Sequence, residues 1–157
     1  MKIKLLVIGK TDDKYLTEGI KKYHSRLKHY LTFEYTELPD IKNSKNLTQE
    51  RQKILEGELL LKNIQPGDQV VLLDERGKNF TSREFASYIE KRMLSGIKRV
   101  VFIIGGPFGF SDDIYSVAND NISLSKMTFS HQLVRLIFFE QIYRAMTIIR
   151  NEPYHHD

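Results

Sequence analysis

The hydrophobic pattern of this chain switches repeatedly between two periods. Short, nearly continuous apolar runs predict buried strands, and the longer segments between them repeat apolar residues every three or four positions, which predicts amphipathic helices. The predicted strands cover residues 2–8, 33–38, 69–73, 99–104 and 122–124. The predicted helices cover residues 12–31, 49–62, 81–95 and 131–150, and a further short helix follows Ser111.

Strands that alternate with helices predict an α/β domain whose mostly parallel sheet is covered by helices on both faces. The run RVVFII at 99–104 supports this, because strands buried on both faces are apolar throughout. Thr81 and Glu84 have the spacing of a capping box, and Ser111 is predicted to cap the short helix. The polar segment 41–48 is predicted to be a mobile loop. No internal repeat or linker interrupts the 157 residues, so we expect one domain over 1–157.

Ligands of an open parallel sheet bind beyond the carboxyl ends of its strands, which directs attention to three segments. The segment IIGGPFGF at 103–110 is either a tight glycine turn or a ligand loop, because it has neither the G-x-G-x-x-G nor the P-loop spacing. Asp74 is either a turn residue or a catalytic acid or base, and Arg76 is either solvated or a phosphate ligand. The segment 124–129 mixes hydroxyl groups with apolar side chains. That mixture suits a flat ligand such as a nucleobase, although an ordinary strand-to-helix loop has the same composition.

The last predicted helix is apolar nearly all round, which is typical of a helix that is central to the core or shared with a second subunit. Glu140 and Arg144 are four residues apart and can pair on its surface. Arg135 is a candidate phosphate ligand, and His131 is a candidate cap or substrate contact. The tail after Asn151 is either a frayed end or, through its aromatic ring and imidazoles, a contact for an RNA base.

Charge and composition narrow the class of protein only slightly. A formal net charge of +4 is a weak indication of a polyanionic partner. The absence of cysteine excludes disulfides and thiolate metal sites. The first apolar run is too short for a signal peptide or a membrane span, and no later segment is long enough. We therefore expect a soluble, cytoplasmic protein that contacts no membrane.

Four motifs together resemble one bacterial family. They are GGPFG at 105–109, LSKMTFSH at 124–131, EQIYRA at 140–145 and the terminal PYH at 153–155, and the opening MKIKLLVIGK matches as well. Their order is that of the ribosomal RNA large subunit methyltransferase H family, which belongs to the SPOUT methyltransferases. The resemblance covers essentially the whole chain. It implies an α/β domain with a C-terminal trefoil knot, a feature that general topology rules argue against and that no pattern here predicts.

The resemblance also implies an activity and a site. It implies a homodimer that methylates N3 of a pseudouridine in the 23S RNA of the ribosome, with S-adenosylmethionine as methyl donor and with neither a metal nor DNA as a partner. The implied donor-binding residues are Leu73, Gly105, Leu124, Ser125, Lys126, Met127, Thr128 and Phe129. The substrate-side candidates are His131 and His155 as catalytic residues, and Arg135, Arg144 and Tyr154 as RNA contacts. The family's tail ends soon after Tyr-His, whereas His156 and Asp157 follow here, and Asp157 adds an anion near the expected RNA site.

Two other classes of protein remain open from the sequence. A non-catalytic ribosome-associated RNA-binding protein would keep the basic residues and the tail but would need no donor pocket. A nucleotide-binding domain of the flavodoxin or Rossmann type would need a phosphate loop after the first strand, and the segment GKTDD at 9–13 is a poor one because its two aspartates repel phosphate. Binding of S-adenosylmethionine would favour the enzyme over the first alternative. Binding of a dinucleotide or flavin would favour the second.

Overall fold

A five-stranded, all-parallel sheet organises the structure, a computed structural model that describes all 157 residues. Its strands are β1 (Lys2–Ile8), β2 (Thr32–Leu38), β3 (Gln69–Asn79), β4 (Arg99–Ile104) and β5 (Asp120–Ser123). They lie in the order β2-β1-β4-β3-β5. The helices are α1 (Lys14–Leu27), α2 (Gln49–Leu61), α3 (Ser82–Leu94), α4 (Asp112–Val117) and α5 (Leu133–Ile149). The predicted α/β class is confirmed.

Helices cover both faces of the sheet, as the apolar strands predicted. On one face α1, α3 and α5 bury the larger core, whose centre includes Phe102 of β4 and Phe138 of α5 with ring centroids 4.8 Å apart. On the other face α2 and α4 cover a smaller core around Leu72 and Ile103. Because both faces are covered, a ligand must approach the sheet at the ends of its strands.

Local sequence signals explain where several helices begin. The Thr81 hydroxyl accepts a hydrogen bond from the Glu84 N–H at 3.2 Å, and the Glu84 carboxylate accepts one from the Thr81 N–H at 2.7 Å, so the predicted capping box is formed. Thr48 caps α2 in the same way, through the Arg51 N–H. Ser111 occupies the predicted N-cap position of α4, and Asp112 and Asp113 lie in the first turn, but the Ser111 hydroxyl makes no capping hydrogen bond.

The predicted boundaries of α1 and α5 are corrected. The helix α1 begins at Lys14 and ends at Leu27, because residues 29–31 bond back to the helix end as turns before the chain enters β2. The helix α5 begins at Leu133, and the two residues before it form a turn. The segment 41–48 contains a single 3₁₀ turn, Ser44–Asn46. Its mobility stays a prediction.

The strands β3 and β5 also differ from the prediction, and the difference shapes the site. Beyond Leu73, where the apolar run ends, β3 bulges and then continues to Asn79 by pairing with β5. The polar second half is tolerated because it extends past the end of β4 and pairs only with β5, so most of its side chains remain exposed. A Cβ atom at Gly77 would lie 2.6 Å from the backbone of Asn121 and Ile122, so glycine is required for this close approach. The strand β5 ends one residue before Leu124.

Candidate functional site

A cavity of about 360 Å³ lies where the neighbouring strands β4, β3 and β5 end. Its walls are the bulge after Leu73, the turn 105–109 and the segment that leads from Ser123 to the start of α5. The volume is within the range of small-molecule sites, roughly 300–1,000 Å³. The position is the one that parallel sheets use for ligands, because the loops that follow adjacent strands meet there.

The predicted donor residues converge on this cavity, although they come from three distant parts of the sequence. All of them except Lys126 line it. Of the two predicted catalytic histidines, His131 lines the cavity and His155 does not. The other residues predicted to contact substrate, Arg135, Arg144 and Tyr154, also lie outside it.

The glycine segment after β4 forms a tight turn, which confirms the first interpretation, and the turn also lines the cavity, so its role as a ligand loop stays a prediction. Gly106 and Gly109 pair across the turn, and the Gly109 N–H donates to the Gly106 carbonyl at 3.2 Å. Gly109 has a φ of 85°, which only glycine adopts freely. A Cβ atom at Gly105 would lie 3.0 Å from the Phe110 ring. Small residues therefore let this backbone pack closely against the core while it forms a wall of the cavity.

The bulge of β3 supplies a polar wall that the sequence analysis only partly foresaw. The Asp74 carboxylate, 9% exposed, accepts hydrogen bonds from the Tyr115 hydroxyl and, at 3.0 Å, from the Arg76 N–H. Burial, and then the hydrogen bond to Asp74, raise the pKa of Tyr115 to about 12. Glu75 accepts a hydrogen bond from the Thr128 hydroxyl at 3.1 Å, which joins this wall to the segment after β5. Glu75 and Tyr115 were not predicted. The only signal for Glu75 was its place directly after an apolar strand, and Tyr115, which lies within α4, had none.

The segment after β5 is held by its own hydroxyl groups. The Ser123 hydroxyl donates to the Ser125 carbonyl at 2.7 Å, and the Ser125 hydroxyl accepts from the Met127 N–H at 2.9 Å. This turn leaves the Met127 side chain 77% exposed at the cavity rim, and Phe108, 40% exposed, also lines the cavity. Ordered main-chain groups with apolar side chains beside them suit a flat, partly apolar ligand.

The structure contradicts the prediction that Arg135 binds phosphate. Its side chain is 1% exposed. The guanidinium donates to the carbonyls of Ile8, at 2.7 Å, and Gly9, at 2.8 Å, and lies 3.4 Å from the Glu37 carboxylate. Its Nε also donates to the His131 carbonyl at 3.2 Å. The donors of Arg135 are therefore used to attach α5 to the end of β1, and phosphate cannot reach them.

Arg144, Tyr154 and His155 form a separate cluster beside α5. Arg144 pairs with Glu140, as their spacing predicted, and lies 3.2 Å from His155 Nδ1. The Tyr154 hydroxyl donates to Glu140 at 3.1 Å. His155 Nε2 lies 2.9 Å from the Asp157 carboxylate, whose pKa is lowered to about 2 by hydrogen bonds from Arg83 and His155. In this chain the tail is thus docked on α5 and α3 rather than frayed.

An all-parallel α/β sheet with a ligand-sized cavity at its strand ends belongs to the class of open α/β domains, which place their small-molecule sites at that position. Comparison with known families refines this class. Residues 1–155 match the model described as "Predicted SPOUT methyltransferase", so the chain belongs to the SPOUT methyltransferase family. The trefoil knot implied by the resemblance is characteristic of that family.

Curated relatives align over the full length of the chain. A protein of Parabacteroides distasonis is 62% identical over 157 residues, with 100% of each chain covered. A protein of Christiangramia forsetii is 59% identical over 156 residues, with 99% of each chain covered. A protein of Phocaeicola vulgatus is 57% identical over 157 residues, again with complete coverage. Each of the three is named "Ribosomal RNA large subunit methyltransferase H".

Two further features of the structure concern membranes and metals. None of the helices combines the length and the apolar character that are needed to cross a bilayer. No cluster of three or more His, Asp or Glu side chains is arranged so that it could hold a metal ion.

Proposed function

We propose that this protein transfers the methyl group of S-adenosylmethionine to N3 of a pseudouridine in 23S ribosomal RNA, in the cytoplasm. The observation that carries the proposal is the convergence of Leu73, Gly105 and the segment 124–129 on one cavity, since these are the residues that the family resemblance implies for the donor. The names of the full-length relatives support ribosomal RNA of the large subunit as the substrate class.

The residues of the cavity suit such a donor. Leu124 and Phe129 provide apolar walls for an adenine ring, and the main chain of the same segment provides hydrogen-bonding groups. Asp74 and Glu75 add negative charge to the lining of the cavity, which favours a ligand that carries a cationic sulfonium. Lys126 belongs to the same segment as Leu124 and Phe129 but does not line the cavity.

The sulfonium of the donor supplies an electrophilic methyl group, and the main task of the protein is to align it with the acceptor nitrogen. Alignment of this kind is worth roughly 7–11 kcal/mol of the barrier. The N3 proton must also leave, and a general base contributes about 10²–10⁴-fold. His131 lines the cavity, whereas His155 is engaged by Arg144 and Asp157. These two histidines and a water molecule are the alternatives for the base.

The RNA side of the proposal rests on Arg144, Tyr154 and His155. They bring a guanidinium, an aromatic ring and an imidazole into one partly exposed cluster, a set that can contact phosphate and stack on a base. The modest net charge of +4 suits a substrate presented by a structured ribosome better than tight binding to bare RNA. Replacing Arg144 should weaken RNA binding most at low salt and should reduce the salt dependence of the affinity by about one unit, because one phosphate contact is lost.

A homodimer is part of the proposal. The apolar residues of α5 are not all covered by the core: Leu136, Ile137 and Tyr143 remain only half-buried. A two-fold interface on this helix would bury them and would bring the tail of one subunit to the cavity of its partner. Sedimentation at micromolar concentration should therefore show a dimer, and a monomer would contradict this arrangement.

The activity is tested by transfer of labelled methyl from S-adenosylmethionine to ribosomes from a strain that lacks this protein, with separated large-subunit RNA as the parallel substrate. Label in pseudouridine of the ribosomes is the expected result, and little label in the bare RNA would locate recognition in the assembled particle. As a matched pair of variants, Leu124→Asp should abolish donor binding, whereas Leu94→Asp, at a solvent-exposed leucine remote from the cavity lining, should not.

The negative outcomes distinguish the alternatives. If S-adenosylmethionine binds but no methyl group reaches either RNA, the proposed donor stands and the proposed substrate is rejected. No donor binding would reject the enzyme in favour of a non-catalytic ribosome-associated RNA-binding protein. Binding of a flavin or dinucleotide instead would favour a nucleotide-binding domain of the flavodoxin or Rossmann type.

A further inference from the structure

The side chain of Glu56 lies directly behind the glycine turn of the cavity. Glu56 belongs to α2 and is only 3% exposed. A Cβ atom at Gly106 would overlap both carboxyl oxygens of Glu56, so the carboxyl group is in contact with the backbone of the turn. Gly106 lines the cavity, whereas Glu56 does not. The carboxyl group therefore supports this wall from behind, without reaching a ligand.

The polar atoms around this contact are not all satisfied. Glu56 Oε1 accepts a hydrogen bond from the Gln52 side chain at 3.0 Å, but Glu56 Oε2 is buried without a partner. The Ser111 hydroxyl, which packs against Gly57, is also buried without a partner. A buried carboxylate with an unpaired oxygen is costly, whereas a carboxylic acid at the same place is tolerated much better.

The surroundings of Glu56 favour its neutral form. Burial raises the pKa of the carboxyl group, the hydrogen bond from Gln52 opposes this, and the negative charge of Asp40 adds to the increase. Gln52 on the same helix and Ser111 before α4 are uncharged, so Asp40 is the charged group that faces Glu56. Glu56 therefore keeps its proton to a higher pH than an ordinary glutamate, whose pKa is about 4.3.

We infer that Glu56 is a positioning residue for the donor cavity: its buried carboxyl group sets the position of the turn 105–109, and the turn shapes the wall against which the donor binds. Ionisation of Glu56 places an unpaired charge behind Gly106 and drives the carboxylate away from the turn. Donor affinity should then fall as pH rises through the pKa of Glu56. The affinity part of this inference rests on the proposed function, whereas the effect on the turn does not.

The first experiment measures binding of S-adenosylmethionine by calorimetry from about pH 4.5, close to the pKa of an ordinary glutamate, up to about pH 9. Glu56→Gln keeps the shape of the side chain and cannot ionise, so its affinity should equal that of the wild type at the low end and exceed it at the high end. Glu56→Ala leaves the turn unsupported and should weaken binding about tenfold relative to the wild type at the low end of the range, which is about 1.4 kcal/mol, and its affinity should not fall further as pH rises through the pKa of Glu56. Glu58→Gln, at an exposed position on the same helix, is the matched control and should follow the wild type.

The second experiment measures amide hydrogen exchange in the absence of any donor. In Glu56→Ala, the Gly109 amide and its neighbours in the turn should exchange faster, while the amides of β1 stay as protected as in the wild type. Equal acceleration in β1 would show a general loss of stability and would overturn the positioning role. If Glu56→Ala does not fold, the comparison of Glu56→Gln with the wild type across pH still decides, because parallel pH profiles would reject the inference.

The two experiments keep the inference separate from the proposed function. If the wild type binds no S-adenosylmethionine, the proposed function fails, and hydrogen exchange in the turn still tests the role of Glu56. If the wild type binds the donor and Glu56→Ala changes neither its affinity nor exchange at 105–110, the inference fails and the proposed function stands.

Discussion

Replacing Arg135 with alanine tests whether this guanidinium stabilises the fold or binds phosphate. The side chain is almost fully buried and joins α5 to the carboxyl end of β1 through the carbonyls of Ile8 and Gly9. Alanine would remove these donors and leave the carbonyl groups and the partly buried Glu37 carboxylate without their partner. We therefore expect Arg135→Ala to unfold far more readily than the wild type.

The magnitude follows from the contacts. Hydrogen bonds to a charged group are worth about 1.5–3 kcal/mol each, and removing one partner of a buried pair costs about 3–5 kcal/mol. These figures overlap, because the same guanidinium makes all of the contacts, so we expect a loss of about 3–5 kcal/mol in the free energy of unfolding. Domains of this size are stable by only about 5–15 kcal/mol, so the loss is a large fraction of the total.

The assay is equilibrium unfolding in urea, followed by circular dichroism. Arg51→Ala is the control, because Arg51 is an exposed residue of α2, and it should change the free energy of unfolding by less than about 0.5 kcal/mol. Arg135→Lys keeps the charge but cannot donate to two carbonyls in a fork, so it should also be clearly destabilised.

A different outcome would restore the phosphate role. If Arg135→Ala unfolds at the urea concentration of the wild type while its RNA affinity loses about one unit of salt dependence, the guanidinium binds phosphate and the buried network contributes little. Loss of RNA binding together with loss of stability would not support that role, since an unfolded protein binds nothing specifically.

Three further predictions concern the sheet edge, an ion pair and the tail. Gly77→Ala should lower the unfolding temperature and weaken S-adenosylmethionine binding, because its Cβ atom would separate β3 from β5 and displace the bulge. Overpacking of this kind costs about 1–3 kcal/mol in the free energy of unfolding. Calorimetry measures both the unfolding temperature and the binding. Burial alone would raise the pKa of Asp68, but hydrogen bonds from Arg99 and from a backbone N–H outweigh it and lower the pKa. The stabilisation from this ion pair is therefore present above the ordinary aspartate pKa of about 3.9 and is lost as pH falls. In urea unfolding, the wild type should be more stable than Asp68→Asn, and this difference should shrink below about pH 4. A difference that stays constant with pH would contradict the pairing. Removal of residues 154–157 should abolish methyl transfer and leave donor binding unchanged, because no tail residue lines the cavity of its own chain; unchanged transfer, with His155→Ala also active, would reject a role for the tail.

The sequence predicted the sheet better than it predicted the ends of the elements. The buried strands were recognisable because residues covered on both faces, such as those of β4, must be apolar throughout. The second half of β3 was missed because its polar residues pair at the edge of the sheet, where burial imposes no pattern. Likewise, the last residues predicted for α1 keep an apolar spacing although their hydrogen bonds are those of turns.

The candidate site shows the same division. The segments proposed to bind the donor could be named because each follows a strand and because their motifs resemble a family, and the structure brings those segments to one cavity. The polar wall of Asp74, Glu75 and Tyr115 depends on a bulge, which no local pattern predicted. Glu56 was missed for a similar reason, because a glutamate in an amphipathic helix normally faces solvent.

The order of amino acids alone was sufficient for the fold class and for the segments that form the cavity, because burial on both faces of a strand and glycine at a tight turn are local requirements. Only the tertiary structure decided which charged groups are available to a ligand. Arg135 and Arg144 lie nine residues apart on one helix, yet the first is closed inside the molecule and the second reaches the surface. The physical reason is that the availability of a charge depends on what packs against it, and those partners come from β1 and from the tail, at opposite ends of the chain.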